Sequence, residues 1–221
     1  QSIDQINSSR NIPKRTVFNV APYLRYRYKM GKQTSLRIDY RGSSSQPTMA
    51  QLQPVADVSD PLRVVIGNPL LKPSFKNTLR VRFNDYDQTS QRAIMAMLFG
   101  GFTTNSIISE TTYDATTGGQ TTTYRNVNGV WNASGMLMFT TPFRNKHWQL
   151  NSFSRLSYNN NVGYNNGMRN DAGSFNAAEN LGIAFRSDYF DAEATTGMRW
   201  PPTACRTSGT RALTTTAVPS T

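Results

Sequence analysis

The chain has 221 residues, a net charge of +11, and only 17% charged residues. That length suits one large all-β domain or two small ones, and the low charge density excludes a coiled coil or a charge-rich disordered chain. A lone Cys205 excludes an intrachain disulfide or cysteine metal cluster, a lone His147 excludes His-rich metal sites, and no apolar run reaches transmembrane-helix length.

The chain opens without Met and without a charged-then-apolar leader, which suggests a processed or internal piece. Residues 1–16 read as a lead-in. From residue 17 the chain alternates with a period of two. In 17–30, Phe18, Val20, Leu24, Tyr26, Tyr28 and Met30 share one parity, and Arg25, Arg27 and Lys29 share the other. A helix would mix the two sets, so this is a strand with one apolar and one basic face. After a tight turn at 31–33, a second strand over 34–42 sets Leu36, Ile38 and Tyr40 against Arg37, Asp39 and Arg41.

Residues 43–76 lose the alternation and carry Pro47, Pro54, Pro61, Pro69 and Pro73, which marks a long loop. A third strand, 77–86, opposes Leu79, Val81 and Phe83 to Arg80, Arg82 and Asn84. Asp87 to Ser90 turns into a fourth strand, 91–104, with Ala93, Met95, Met97 and Phe99 on one face. Residues 105–129 form a second long loop with room for its own hairpin. The fifth strand, 130–141, places Trp131, Ala133, Leu137 and Phe139 together. A short connection at 142–147 leads to the sixth, where Trp148, Leu150, Leu156 and Tyr158 oppose Gln149, Asn151 and Arg155. His147 reads as a polar residue near a turn.

The Asn- and Gly-rich stretch 159–174 reads as a third loop. The seventh strand, 175–187, carries Phe175, Ala177, Leu181, Ile183 and Phe185 on one face. The eighth, 190–200, sets Ala192, Ala194, Met198 and Trp200 against Asp191, Glu193 and Arg199. Asn and the aromatics, frequent before residue 201, are absent after it, so 201–221 read as a disordered or non-native tail.

Short and long connections alternate along the chain. That rhythm, with long strands, fits a transmembrane β-barrel. The fold expected is all-β: an antiparallel up-and-down meander of about eight long strands, over residues 17–200, forming part of such a barrel. The long connections should gather at one end and the short turns at the other.

The first long loop contains Gln46-Pro47-Thr48-Met49-Ala50-Gln51-Leu52-Gln53-Pro54 and then Gly67-Asn68-Pro69-Leu70-Leu71-Lys72-Pro73. This resembles the C-terminal barrel of TonB-dependent outer-membrane receptors, in particular the outer-membrane β-barrel family common in Bacteroidetes. There an (R)PS-x-x-QL-x-P stretch leads into G-N-P-x-L-K-P-E and a strand. Gln46 and Ser74 depart from the pattern, where Arg and Glu are usual. Asn126-Val127-Asn128-Gly129 is similar to the family's N-V-x-G return into a strand. The resemblance covers about 12–200 and finds no counterpart here of the plug domain, the TonB box or the closing aromatic-ended strand. It implies residence in the bacterial outer membrane, contact with its lipid, and uptake of a large nutrient with a plug domain and TonB as partners. The nutrient is not specified, and neither catalysis nor a cofactor is implied.

Within the loop, Gly67, Asn68, Pro69, Leu71, Lys72 and Pro73 are read as structural, because Gly and Asn tolerate positive φ and Pro fixes the exit. A lipid-facing arginine at mid-bilayer costs about 2–4 kcal/mol. Arg25, Arg27, Arg37, Arg41, Arg80, Arg82 and Arg155, with Asp39, are therefore the candidates for a lumen wall; Lys29, Arg92, Arg186 and Arg199 are assigned to the same face. Their charges are either hydrated or paired with a plug, or they attract anionic solutes. Eight strands alone would close a lumen too narrow for so many cations, so an open, incomplete barrel with edges at 17–30 and 190–200 is expected. Tyr28, Tyr86, Trp148 and Trp200 are candidates for interfacial girdles.

A soluble β-sandwich adhesin or glycan-binding module is the alternative. Nucleic-acid binding needs basic and aromatic residues on one exposed face, whereas here they lie mostly on opposite faces. Asp57, Asp60, Asp85 and Asp87 are too sparse for a calcium loop, and no phosphate loop, nucleophile elbow or carboxylate pair is present.

Overall fold

The structure, a computed structural model, describes residues 2–7, 12–56, 60, 62–143 and 147–207, with side chains from 19 to 201 among them. Strands β1 (Ser2–Asn7) and β2 (Ile12–Phe18) pair as a separate two-stranded sheet. The expected strand over 17–30 is thus divided. Its first residues belong to β2, and Pro22 stands just before β3 (Tyr23–Lys29). Pro22 has no N–H for a ladder, and its carbonyl instead accepts from the Gly42 N–H at 2.8 Å.

Eight strands run antiparallel, each beside its neighbour in this order: β3, β4 (Ser35–Ser45), β6 (Ser74–Asp87), β7 (Arg92–Thr104), β10 (Val130–Pro142), β11 (Trp148–Asn165), β12 (Met168–Arg186) and β13 (Asp191–Thr207). The sheet as a whole has eleven strands, not about eight. The others come from the long connections. The first holds helix α1 (Met49–Leu52) and β5 (Arg63–Val65); the second is a hairpin of β8 (Ser106–Tyr113) and β9 (Gln120–Val127). β8 joins β11 in parallel and β5 joins β9 in parallel. The Thr-containing β8 and β9 and the three-residue β5 are fixed by backbone pairing more than by an apolar face, so their alternation is weak.

The third expected loop, 159–174, is not a loop. β11 and β12 continue through it to a two-residue turn at Asn166 and Gly167, with φ of 48° and 76°. Two successive positive φ angles are the signature of the type I′ hairpin turn that Asn-Gly favours. The expected disordered tail is corrected in part: β13 runs to Thr207 and pairs as far as Asp171. Pro201 and Pro202 stand opposite the single residue Asn176 at a register shift. Proline is tolerated at such a bulge and on an edge strand, and β13 is one. Residues 208–221 lie outside the described residues.

The sheet is not closed. Among the described residues β3 pairs only with β4, and β13 only with β12. Among the described residues no second layer packs over the meander. The large buried side chains, Leu52, Leu71, Val127 and Val162, all lie at the end where the long connections meet.

Candidate functional site

Directly opposed residues in an antiparallel ladder put their side chains on the same face, so the register assigns both faces. One row runs Tyr26, Ile38, Val81, Leu98, Gly135, Leu156, Ala177, Trp200. The next row, on the other face, runs Arg27, Arg37, Arg82, Met97, Met136, Arg155, Ala178, Arg199. The apolar row is open: Leu98 is 61% exposed and Leu156 53%. Glu179 is an exception in the middle of that face, and its carboxylate accepts from the Ser152 hydroxyl at 2.8 Å. Arg92 is a correction. It shares the parity of Ile94, Ala96 and Leu98 and approaches Asp85 at 3.8 Å. Strand β7 is apolar on both faces, so its alternation could not assign that arginine.

The basic face is densest across β3, β4 and β6. Arg25, Asp39 and Arg80 form one row; Arg27, Arg37 and Arg82 form the next. Asp39 is the hub. Arg25 Nε and Arg37 Nε each donate to its carboxylate at 2.7 Å, and the Tyr23 hydroxyl donates at 3.0 Å. Arg80 lies over the Phe99 ring at 5.9 Å. Among the described residues no carboxylate pairs with Arg27, Arg41, Arg80, Arg82 or Arg155, and the buried Arg82 Nε has no hydrogen-bond partner. Tyr23, Arg25, Arg37, Asp39, Arg41, Thr78 and Arg80 surround an open hollow of about 580 Å³. The structure thus brings five of the eight wall candidates to one hollow, with Arg27 and Arg82 one row away and Arg155 farther along that row.

The loop motif is a clamp. Thr48 caps α1 with a reciprocal capping box through Gln51. The Asn68 N–H donates to the Gln51 carbonyl at 2.6 Å, its Nδ2 donates to the Tyr124 carbonyl at 2.9 Å, and its Oδ1 accepts from the Leu70 N–H at 2.9 Å. Lys72 N–H donates to Asn126 Oδ1 at 2.7 Å, and Asn126 Nδ2 returns bonds to the carbonyls of Lys72 and Asn105. Leu71 is fully buried between these contacts. A Cβ on Gly67 would land on the Gln53 backbone, so only glycine fits there. Pro69 precedes the turn and Pro73 stands just before β6. The Asn126-to-Gly129 segment therefore serves as the clamp's second half, a partnership that spacing alone does not indicate.

The clamp continues into the β11–β12 hairpin. The Arg125 guanidinium lies 4.0 Å from the Tyr164 ring centre and pairs with Glu110 at 3.0 Å. Asn166 accepts from the Tyr113 N–H and donates its own N–H to Thr111. All three connections thus meet at one end. At the other, Gln33 reaches Gln88, Thr34 reaches Asp85, and the Arg186 N–H reaches the His147 carbonyl. His147 sits at this short-turn end, with Nδ1 3.0 Å from the Arg186 carbonyl oxygen.

Aromatic side chains band the apolar face at two heights. Trp131 stacks on Tyr158 with centroids 4.9 Å apart and faces Phe102 across the ladder. Near the short turns, Phe185 meets Trp148 at 4.8 Å and Phe190 at 5.3 Å. Trp131 and Phe143, which adjoins Trp148, are about twelve residues apart, or ~40 Å along a strand. A tilt of about 45° projects this to ~28 Å, close to the hydrocarbon thickness of a bilayer. Of the expected girdle residues, Tyr28 and Trp148 stand at a band on this face. Tyr86 lies on the opposite face, and Trp200 is in the middle of its strand.

These features accord with a sequence comparison: the model of the outer membrane protein beta-barrel family matches residues 1–204. No curated protein and no solved structure matches the chain. With nearly its whole length matched, and with the two-faced sheet that such a barrel requires, the chain belongs to the outer membrane protein β-barrel family and resides in the bacterial outer membrane.

Proposed function

We propose that the chain forms part of the barrel of a TonB-dependent receptor, which takes up a large nutrient across the outer membrane. The observation that carries this reading is the arginine-rich face on an unclosed sheet. On β3, β4 and β6, the cations Arg25, Arg27, Lys29, Arg37, Arg41, Arg80 and Arg82 share a face with the single acid Asp39. An eight-stranded barrel has an interior just wide enough to be filled by side chains. Packing these cations there would leave desolvated charges without partners, at several kcal/mol each. A wide, watered lumen removes the conflict, and the free edges of β3 and β13 give further strands a place to pair.

In this reading the apolar face meets lipid, and the short turns lie on the periplasmic side. The clamped long connections form an outer platform that captures the nutrient, and a plug and TonB gate its passage. The chain's part is binding and conduction, without catalysis.

Planar-bilayer recording of the full-length protein tests the proposal. A plugged receptor gives no steady open-channel current until mild denaturant dislodges the plug, and it binds the periplasmic domain of TonB. A constitutively open pore with no TonB binding would contradict it.

A further inference from the structure

We propose that the hollow bounded by Tyr23, Arg25, Arg37, Asp39, Arg41, Thr78 and Arg80 is a binding subsite for an oxyanion, a carboxylate or phosphate group carried by a solute. This deepens the receptor reading and rests on it for the direction from which the solute arrives. Four guanidinium groups and one carboxylate line the hollow. Asp39 is already shared by Arg25 and Arg37, which it holds at 2.7 Å each. It therefore acts as an internal strut that orients two guanidinium planes and leaves the site with an excess of positive charge. Arg41 and Arg80 have no carboxylate partner among the described residues. The Thr78 hydroxyl adds a neutral donor, while the Tyr23 hydroxyl is spent on Asp39. Planar guanidinium forks match the paired oxygens of carboxylate and phosphate, and ion pairs with two parallel hydrogen bonds are the strong ones.

Position favours a solute over a segment lodged deep in the lumen. Arg41 is close to the end of β4 that leads into the first long connection, and Thr78 is close to the start of β6 that leaves it. The hollow thus lies in the half of the sheet nearer the clamped connections, which is the outer half in the receptor reading. One row farther from that end, Arg27 and Arg82 flank the hollow's own Arg37, and among the described residues the buried Arg82 Nε has no partner. A solute leaving the hollow inward meets only two further guanidinium groups, those of Arg27 and Arg82.

The test is titration calorimetry on the full-length protein in detergent at low salt. The probes are inorganic pyrophosphate, citrate and, as a neutral control, maltose. Binding of either anion, with none of maltose, is expected, and the stronger of the two identifies phosphate or carboxylate as the preferred group. Arg41→Gln with Arg80→Gln is expected to weaken that binding at least tenfold. Arg186→Gln, which removes one positive charge at the short-turn end, should shift it less than twofold. Arg41→Lys with Arg80→Lys keeps the charge and is expected to bind between wild type and the Gln pair; it also replaces the Gln pair as the deciding variant if that pair does not fold.

Binding of neither anion by wild type overturns the proposal. So does unchanged binding in the Gln pair or the Lys pair, and so does an equal loss in Arg186→Gln, which would mean diffuse charge without a site. The receptor reading is tested separately by the dependence of uptake on TonB. An anion site can stand if that dependence fails, and the dependence can stand if the site fails.

Discussion

Arg37 and Arg82 stand directly opposite each other on β4 and β6, like charges in adjacent places on one face. Directly opposed like charges destabilise a ladder by about 0.2–1 kcal/mol. Arg37 is partly relieved by Asp39 on its own strand, two residues on. Among the described residues no carboxylate gives Arg82 such relief. Arg82→Glu is therefore expected to stabilise the folded barrel by about 0.5 kcal/mol. Urea titration of the full-length protein in lipid vesicles, followed by gel mobility without heating, measures it. A loss of stability of similar size would show that the arginine row is held by partners other than water.

Leu98 and Met97 are neighbours in sequence on opposite faces. Leu98→Arg is expected to cost about 2–4 kcal/mol in a bilayer, while Met97→Arg costs under about 1. In a soluble protein, replacing a side chain as exposed as Leu98 changes stability by only about 0.5 kcal/mol in either direction. The contrast between the two substitutions in the same vesicle assay separates the membrane fold from the soluble sandwich.

Asn68 ties the first long connection to β9. Asn68→Ala removes the bonds to the Tyr124 carbonyl and the Leu70 N–H, at about 1–3 kcal/mol of local stability. Hydrogen exchange at residues 62–72 is expected to speed up while the β4–β6 ladder keeps its protection. Leu70→Ala, at a position 80% exposed, should leave both unchanged. Equal exchange in Asn68→Ala and wild type would remove the clamp from the account.

The β8–β9 hairpin ends in a turn built on Asp114. Its carboxylate accepts from the Thr116 N–H and the Thr117 hydroxyl, each at 2.8 Å, and these bonds hold its pKa below the ordinary 3.8. The stabilisation is complete above the ordinary value and is lost as pH falls through the lowered one. Hydrogen exchange at Tyr113 and Gln120 should be flat from neutral pH down to about pH 4 and loosen below it, after correction for intrinsic rates. Asp114→Asn should weaken the turn at neutral pH and flatten that response. A turn equally loose at all pH values would contradict the assignment.

Strand parity was legible because a half-buried strand repeats every two residues. Leu79, Val81 and Phe83 against Arg80 and Arg82 leaves no other period available. Register was less so. That Asp39 meets Arg25 on the neighbouring strand depends on how the chain turns at 31–33, which no alternation reveals. The Asn166-Gly167 turn was hidden because the flanking strands are themselves rich in Asn, so a turn signal read as a whole loop. The short β5 is selected by backbone pairing with β9, a tertiary cause without a local pattern. The arginine wall could be read from parity, but the clamp could not. Its halves lie more than fifty residues apart, at Lys72 and Asn126.

The central claim is that one face of this meander meets lipid and the other meets water. Single cysteines introduced into a Cys205→Ser background of the full-length protein, in native outer membranes, test it most directly. Cysteines at positions 97, 134 and 155 are expected to react with a small charged thiol reagent. Those at 98, 135 and 156 should resist it, and a fluorophore attached there should be quenched by spin-labelled lipid. Reactivity that fails to alternate along β7, β10 and β11, or that alternates with the opposite parity, would contradict the account.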